Sequence, residues 1–189
     1  EDAVRLRNPM QAERDLLRPT LLPSVIETAS RNLRHQRSAR LFEIARVYLP
    51  SDAELPVEAA VVALVLAGKR DELDRYADST AELDFFDAKG TVETLLERLG
   101  VSGTTFRPLQ RPAFHPGRTA GVFLGDAQVG IVGELRPDRA LAFDIETPRV
   151  VVAELDLEYL LAAAEPIPSG IISPRFLPVE QDFAVVVNE

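Results

Sequence analysis

Apolar side chains recur at helical spacing early in the chain, over residues 20–36. At this spacing they fall on one face of a helix, with Thr20 as a candidate N-cap and Pro23 in the first turn. The residues of this face are Leu21, Leu22, Val25, Ile26, Ala29 and Leu33. The pattern predicts an amphipathic helix whose apolar face packs either on the chain's own core or on another protein, and the sequence favours neither alternative.

Two strands are predicted after this helix. In residues 41–49 apolar side chains alternate with others, although charges at Glu43 and Arg46 interrupt the pattern, as in a strand with one buried face. Residues 57–66 form a nearly continuous apolar run that ends at Gly68. Such a run is typical of a central strand that is covered on both faces.

The second half of the chain predicts a further helix and a β-hairpin. Residues 84–99 have helical spacing and a glycine stop at Gly100. The hairpin joins residues 119–124 to residues 129–132 through the Gly125-Asp126 turn. A hairpin implies antiparallel pairing, which argues against a doubly wound nucleotide-binding sheet. A short helix at 135–143 and a strand at 150–155 complete the expected set of elements.

Charge is distributed unevenly along the 189 residues, whose formal net charge is −9. Residues 1–50 carry nine arginines against six acids, residues 51–100 five bases against twelve acids, and residues 101–189 seven bases against twelve. This balance argues against a free-standing nucleic-acid binder, whose affinity comes largely from neutralising phosphates. The composition, 46% hydrophobic and 27% charged, is that of an ordinary globular domain.

One basic cluster stands out near the end of the first predicted helix. It consists of Arg31, Arg34, His35, Arg37 and Arg40. Cations at a helix C-terminus are favourable because they offset the helix dipole, so a solvated surface is the simpler interpretation. Direct contact with RNA is the alternative.

The residue types that the chain lacks exclude several kinds of site. The chain has no cysteine, which removes disulfides and thiol chemistry, and its two histidines make a protein-built zinc site improbable. No apolar run reaches the roughly 18 residues of a membrane span, so no membrane partner is expected. Residue 1 is Glu rather than Met, and we expect the natural N-terminus to lie upstream.

The stretch from His115 to Arg118 (HPGR) is the one most easily taken for a catalytic motif. A histidine beside an arginine can act as an acid–base group with an anion clamp, but no serine, cysteine or paired carboxylate lies nearby in the sequence. We predict instead a tight Pro-Gly turn, with His115 packing at a strand entrance and Arg118 in a salt bridge. No phosphate-binding loop with a Gly-Lys-Ser/Thr signature occurs.

Several acids could suggest a metal site, yet each has a simpler structural explanation. Asp84, Asp87 and Glu93 lie at the start of a predicted helix, where Asp84 or Asp87 serves as the N-cap. Glu134 and Asp138, around Arg136-Pro137, are interpreted as turn and cap residues for the same reason. We assign no catalytic, cofactor-binding or metal-ligating residue.

Several segments, taken in order, resemble the β subunit of bacterial phenylalanyl-tRNA synthetase in its synthetase-like core. They are Asn8-Pro9, residues 17–23 (LRPTLLP), Asn32, residues 41–44 (LFEI), 84–90 (DFFDAKG), 114–120 (FHPGRTA) and 129–137 (VGIVGELRP). The resemblance implies an α+β fold, an antiparallel sheet flanked by helices, in a noncatalytic copy of the class II aminoacyl-tRNA synthetase domain.

The resemblance also divides the chain in two. Residues 1–165 correspond to the class II synthetase-like core domain. Residues 176–187 (FLPVEQDFAVVV) resemble the first strand of the ferredoxin-like anticodon-binding domain, although Gln181 stands where an arginine is usual and Leu177 is extra. The proline-rich stretch before them has the composition of a linker. We therefore expect residues 166–189 to be a linker and the first strand of a truncated second domain.

The residues that an active class II site needs are missing from the matching strands. Such a site polarises ATP and the substrate carboxylate through two arginines. Leu49-Pro50 follows the strand that resembles motif 2, where an active member carries one arginine. Residues 152–157 (VAELDL) lack the glycines and the arginine of motif 3. On this comparison the ATP site is degenerate.

The resemblance implies a supporting role in a cytoplasmic ligase that joins L-phenylalanine to its tRNA. The expected partners are the α subunit, a second αβ pair in an (αβ)₂ assembly, and tRNA; ATP and magnesium serve the whole enzyme, with none bound by this segment. The candidate subunit interface is Leu21, Leu22, Val25, Ile26, Ala29 and Leu33. The candidate tRNA-facing or solvated cluster is Arg31, Arg34, Arg37 and Arg40.

Two other interpretations stay open. The chain could be an independent enzyme on a synthetase-like fold, such as a small-molecule ligase, although the missing arginines count against it. It could also be a stand-alone interaction or regulatory module with a degenerate synthetase fold. Fold alone does not decide among these alternatives.

Overall fold

The computed structural model describes residues 3–9, 15–53, 55–70 and 81–165. These residues form four helices and six strands, a mixed α+β architecture. In chain order the elements are α1 (Leu22–Leu33), β1 (Ser38–Leu49), β2 (Val57–Gly68), α2 (Phe85–Arg98), β3 (Thr104–Pro108), β4 (Phe114–Leu124), β5 (Ala127–Leu135), α3 (Pro137–Leu141), β6 (Val150–Asp156) and α4 (Leu157–Ala162).

All six strands belong to one sheet, in the order β1-β2-β6-β5-β4-β3. Every neighbouring pair is antiparallel, as the predicted hairpin implied. That hairpin is β4-β5, and Gly125 in its turn has a φ of +61°, a backbone conformation that glycine adopts without strain. The expected fold class, α+β with an antiparallel sheet and helices, is confirmed.

Strand β2 carries two apolar faces, which explains its continuous hydrophobic run. Val61, Ala63, Val65 and Ala67 lie in one buried cluster with α1, whereas Val62, Leu64 and Leu66 lie in a second cluster with residues of α2 and α4. Successive side chains of a strand point to opposite faces, so one sequence run feeds both cores. The prediction of a strand covered on both sides is confirmed.

Helix α2 begins with a capping box. The Asp84 carboxylate accepts hydrogen bonds from the backbone N–H groups of Phe86 and Asp87, and the Asp87 carboxylate accepts one from the N–H of Asp84. The helix ends before Gly100, whose φ is +71°. The predicted cap and glycine stop are both confirmed.

Helix α1 is shorter than predicted. It begins at Leu22 with Leu21 in the N-cap position and ends at Leu33 instead of residue 36. Thr20 is therefore not the cap residue by position, although its hydroxyl accepts a 3.2 Å hydrogen bond from the N–H of Leu22. The Thr20 hydroxyl also donates a hydrogen bond to the carboxylate of Glu154 on β6, so Thr20 contacts the sheet as well as the start of the helix.

Several other boundaries differ from the prediction. Strand β3 and helix α4 were not predicted from the sequence, and α3 is shorter than the expected 135–143. Strand β4 begins at Phe114, so the tight turn predicted at Pro116-Gly117 is wrong. A shift in the register with β5 between Phe114 and Thr119 accommodates these two residues within the strand. The predicted linker and strand in 166–189 lie outside the described residues. Within the described ranges no helix combines the length and apolar character needed to cross a membrane.

Candidate functional site

The hairpin of β1 and β2 ends at Leu49, the position where the sequence resemblance predicts an arginine in an active member. Leu49 closes β1, and Val57 stands opposite it at the start of β2. Both side chains are partly exposed. The nearest arginine along the strand, Arg46, forms a 3.3 Å ion pair with Glu58. Leu49 and Val57 therefore form an exposed apolar pair at the last rung of this ladder.

Glu154 on β6 is the central polar residue of the sheet face that α1 covers. Its carboxylate accepts hydrogen bonds from the Thr20 hydroxyl at 2.8 and 2.9 Å and from the Leu21 N–H at 2.7 Å. Leu21 is fully buried. The carboxylate thus satisfies a buried N–H at the start of α1 and ties this helix to the middle of the sheet.

A second carboxylate, Glu43 on β1, is held on the same side of the sheet. It pairs with Arg18 at 2.9 Å and accepts a 2.6 Å hydrogen bond from the Ser24 hydroxyl on α1. The side of the sheet beneath α1 therefore presents carboxylates, both engaged with the residues around the start of the helix.

Sequence reasoning missed Glu43 and Glu154 as structural residues. The sequence does contain a clue to each residue, namely a single acid inside a mainly apolar strand. The alternation of side chains along the strand places that acid on the face that the helix covers. The partners of Glu154 are 133 and 134 residues away in the chain, so their identity could not be deduced from the local pattern.

The predicted salt bridge of Arg118 is confirmed, and its partner is Glu134. The guanidinium Nε lies 2.7 Å from Oε2 and Nη2 lies 2.8 Å from Oε1, a bidentate geometry. Glu134 is only 2% exposed and lies within β5. The interpretation of Glu134 as a turn or cap residue is wrong, because the carboxylate is buried in the sheet and needs this partner.

His115 is the second residue of β4, at the predicted strand entrance. Its Nδ1 accepts a 3.2 Å hydrogen bond from the N–H of Gly117, and its carbonyl accepts one from the Thr119 hydroxyl at 2.8 Å. These bonds shape the irregular start of the strand. Arg118 is directed to Glu134, so the histidine and arginine of this stretch are engaged in separate local contacts.

An open pocket of about 790 Å³ lies next to His115. Its wall includes Arg111, Phe114, Arg136 and Asp138. Arg136 pairs with Asp138 at 2.9 Å, and Asp138 lies in the first turn of α3, for which Arg136 holds the N-cap position. Asp138 is thus a first-turn residue and not the cap. Among the described residues that line the pocket there is no serine, threonine or cysteine.

The acids considered as metal ligands have structural partners. Asp84 and Asp87 form the capping box and both pair with Arg70, at 3.2 and 3.0 Å. Glu93 pairs with Lys89 one turn away on α2. Across the described part of the chain, no group of three His, Cys, Asp or Glu side chains is arranged to hold a metal ion.

The six residues of the candidate subunit interface lie against the sheet. Leu21, Val25, Ile26 and Ala29 are buried in the core, while Leu22 and Leu33 are partly buried and pack against it. Of the two alternatives for this face, packing on the chain's own core describes the structure. Little of the apolar face of α1 is left exposed for a partner protein.

The candidate tRNA-facing or solvated cluster lies on the surface. Arg31, Arg34, Arg37 and Arg40 are all exposed. Arg31 donates to the Thr28 hydroxyl, and Arg34 stands 3.6 Å from Asp144. The Arg40 guanidinium donates to the carbonyl of Arg70.

Comparisons with known proteins agree with the sequence resemblance. The family model described as "Phenylalanyl tRNA synthetase beta chain CLM domain" matches residues 1–157. The chain is 40% identical over 189 residues to the phenylalanine–tRNA ligase beta subunit of Geobacter sulfurreducens, covering 98% of this chain and 23% of that protein. It is 35% identical over 192 residues to the corresponding subunit of Clostridium acetobutylicum, covering 100% of this chain and 22% of that protein.

The chain therefore spans less than a quarter of the length of these curated relatives. Among solved structures it is similar to Desulfitobacterium hafniense PylSc, a pyrrolysyl tRNA synthetase, with a TM-score of 0.58. That match has 20% sequence identity and covers 77% of this chain and 49% of the other. At this identity the likeness concerns the fold.

Proposed function

Because the chain belongs to the family of the phenylalanyl tRNA synthetase beta chain CLM domain, we propose that it is the noncatalytic synthetase-like core of a β subunit. In this role it supports an α subunit, which carries out the ATP-dependent attachment of L-phenylalanine to tRNA. The contribution of this chain is positional: it supplies a rigid sheet and surfaces for assembly, while the adenylate forms on the α subunit.

The observation that carries the noncatalytic assignment is the polarity of the sheet face beneath α1. Glu154 and Glu43 place negative charge there, and Leu49 ends the strand where an arginine is needed. Both carboxylates are bound by donors near the start of α1, which covers this face, and Arg18 is occupied by Glu43, so these contacts support packing of the helix and not binding of a triphosphate. No catalytic step is therefore assigned to this chain, and ATP and magnesium belong to the whole enzyme.

The proposed partners follow from the family. They are the α subunit, a second αβ pair and tRNA, in the cytoplasm. The relatives named as beta subunits are more than four times as long as the matched region, which supports a role as one module of a larger polypeptide. The exposed arginines of the cluster near α1 remain candidates for tRNA contact in that assembly, beside their simpler interpretation as a solvated surface.

Association with an α subunit from the same genome tests this proposal. The β polypeptide that contains this chain is coexpressed with that α subunit, and the mass of the purified complex is measured in native buffer. We expect a stable complex with equal numbers of the two subunits and a mass that corresponds to two αβ pairs. Separate elution of the two proteins would contradict the proposal.

A further inference from the structure

The pocket next to His115 lies between two segments that the backbone holds together. One segment runs from residue 110 to residue 116, around the start of β4, and the other covers residues 136–138, at the start of α3. The Arg136 N–H donates a 3.1 Å hydrogen bond to the Ala113 carbonyl and so joins the two segments. The volume of about 790 Å³ is within the range of small-molecule sites.

The irregular start of β4 is fixed by its packing against β5. The register between the two strands shifts between Phe114 and Thr119, and Gly133 of β5 stands opposite Thr119. A Cβ atom at Gly133 would lie 2.7 Å from the Phe114 ring and 2.9 Å from the Thr119 hydroxyl oxygen, so glycine leaves the room that this arrangement needs. Irregularities of this kind redirect side chains and are frequent beside active sites. The backbone that carries His115 is thus held in place by the sheet.

The His115 imidazole has one ring nitrogen engaged and one unused. Its Nδ1 accepts a 3.2 Å hydrogen bond from the Gly117 N–H. In a neutral imidazole one nitrogen accepts and the other carries the proton, so Nε2 is the donor. Nε2 has no hydrogen-bond partner in the described part of the chain. His115 therefore brings an unused N–H donor of defined tautomer to the lining of this pocket.

Two guanidinium groups belong to the same lining as His115. The Arg111 side chain forms no hydrogen bond or ion pair within the described ranges. Arg136 pairs with Asp138 through Nε at 2.9 Å and Nη2 at 3.4 Å, which leaves Nη1 for another acceptor. With a neutral histidine, the lining carries two positive charges against one negative charge, in a chain whose net charge is −9. The pocket is therefore locally cationic on an acidic protein.

The unused groups are mainly hydrogen-bond donors, which indicates an anionic ligand with several acceptor oxygens. Arg111 and Arg136 supply guanidinium groups, which are well suited to phosphate, and His115 and Gln110 add neutral donors. A carboxylate has two oxygens, whereas a phosphate monoester offers three to donors from different sides of a pocket. Phe114 is only 7% exposed, so recognition centres on the phosphate and not on a stacked base.

We propose that this pocket binds a terminal phosphate group, a monoester carried by a free nucleotide or by the 5′ end of an RNA chain. Arg111 supplies the main charge, Arg136 a second charged donor, and Nε2 of His115 a neutral hydrogen bond. The assignment gives the HPGR stretch a role in binding without acid–base chemistry. It does not depend on the proposed function, and a failure to associate with an α subunit would leave it unaffected.

The two histidines of the chain provide a direct assay. His115 lies at the pocket, whereas His35 is exposed in the basic cluster beside Arg34 and Arg37 and reports unspecific attraction of anions. The chain is titrated with inorganic phosphate at constant pH and ionic strength, and the imidazole NMR signals are followed after assignment with His35→Gln. We expect a saturable shift of the His115 signals and a much smaller, non-saturating shift of the His35 signals.

Removal of single charges tests which residue holds the ligand. Arg111→Ala should weaken phosphate binding about tenfold, because a hydrogen bond between charged groups contributes roughly that factor. Its melting temperature should stay unchanged, since this side chain has no described partner. Arg111→Lys keeps the charge without the planar fork and should bind with intermediate affinity. The matched control is Arg98→Ala, an exposed charge on α2, whose buried residues lie in the other core cluster; this variant should bind like the unaltered chain.

Further titrations identify the source of the phosphate. AMP represents a free nucleotide, and a short RNA oligonucleotide is compared with and without its 5′-phosphate. Saturable binding of AMP, or of the 5′-phosphorylated oligonucleotide alone, supports the proposal and names the source. The absence of a saturable shift, parallel shifts of both histidines, or equal affinity of Arg111→Ala would overturn it. Acetate that binds as tightly as phosphate would show a carboxylate site instead, and equal binding of the two oligonucleotides would show contact with the RNA backbone; either result contradicts the assignment.

Discussion

At the scale of single residues, Glu154 connects parts of the chain that are remote in sequence. From β6, in the middle of the sheet, its carboxylate accepts hydrogen bonds from the Thr20 hydroxyl and from the buried N–H of Leu21. Polar groups placed this way fix the position of a helix because an unsatisfied buried N–H is costly. The same carboxylate contributes negative charge to this face of the sheet, so one side chain bears on both the stability of the domain and the proposed noncatalytic role.

Replacing Glu154 should therefore destabilise the domain. Glu154→Ala leaves the Leu21 N–H unsatisfied and should lower the free energy of unfolding by about 2 kcal/mol. Glu154→Gln retains an accepting oxygen and should cost clearly less. The midpoint of urea denaturation measures both, with Glu146→Ala as an exposed control. Equal stability of Glu154→Ala and the control would refute the anchoring role.

Arg118 offers a second test at this scale, because its partner Glu134 is buried in β5. Arg118→Ala leaves a buried carboxylate without its partner and should lower the free energy of unfolding by about 2–3 kcal/mol. The matched control is Arg139→Ala, whose 3.7 Å pair with Asp138 is exposed on both sides and should contribute less than about 0.5 kcal/mol. Thermal unfolding of the two variants gives the comparison. Similar melting temperatures would show that water already neutralises the cost of burying Glu134.

At the scale of elements, α2 depends on its capping box. Asp84→Ala removes the acceptor for the N–H groups of Phe86 and Asp87 and should cost about 1 kcal/mol. Asp84→Asn keeps a capping oxygen and should retain most of the stability. Hydrogen exchange of the α2 amides measures the effect, and Glu97→Ala at the exposed far end of the helix is the control. Loss of protection in the control but not in Asp84→Ala would contradict this account.

Elements with a strong local pattern were predictable from the sequence, and elements defined by their neighbours were not. The period of α2, its cap and its glycine stop are all local, as is the double-faced run of β2. Strand β3 is only five residues long and has no buried residue, so its identity comes from pairing with β4. The chemistry of the candidate site escaped prediction for the same reason, because Glu154 and Glu134 acquire their roles from residues distant in the chain.

The exposed surface was also beyond local reasoning. The sequence pattern identified an apolar face on α1 but could not decide whether the chain itself covers it. Conversely, Phe42 and Ile44 have the pattern of a strand's buried face. They are exposed because α2 and α4 extend only as far as β2, a consequence of how three elements pack.

At the scale of the whole molecule, the composition of the sequence predicts a domain boundary at residue 166. The last described helix is α4, and the proline-rich stretch after residue 165 has linker composition. Ending the chain at residue 165 should leave the melting temperature of the core nearly unchanged. It should also reduce self-association, because residues 183–187 (FAVVV) are strongly β-prone and uncharged. A large fall in melting temperature would place residues 166–189 inside the core domain.

The central claim is that this synthetase-like domain supports catalysis without performing it. Phenylalanine-dependent exchange of pyrophosphate into ATP measures amino-acid activation directly. We expect the pure chain to give only background exchange, because its sheet face carries Glu154 and Glu43 and lacks the arginine at Leu49, while the complex with the α subunit exchanges actively. Clear phenylalanine-dependent exchange by the pure chain would contradict the account.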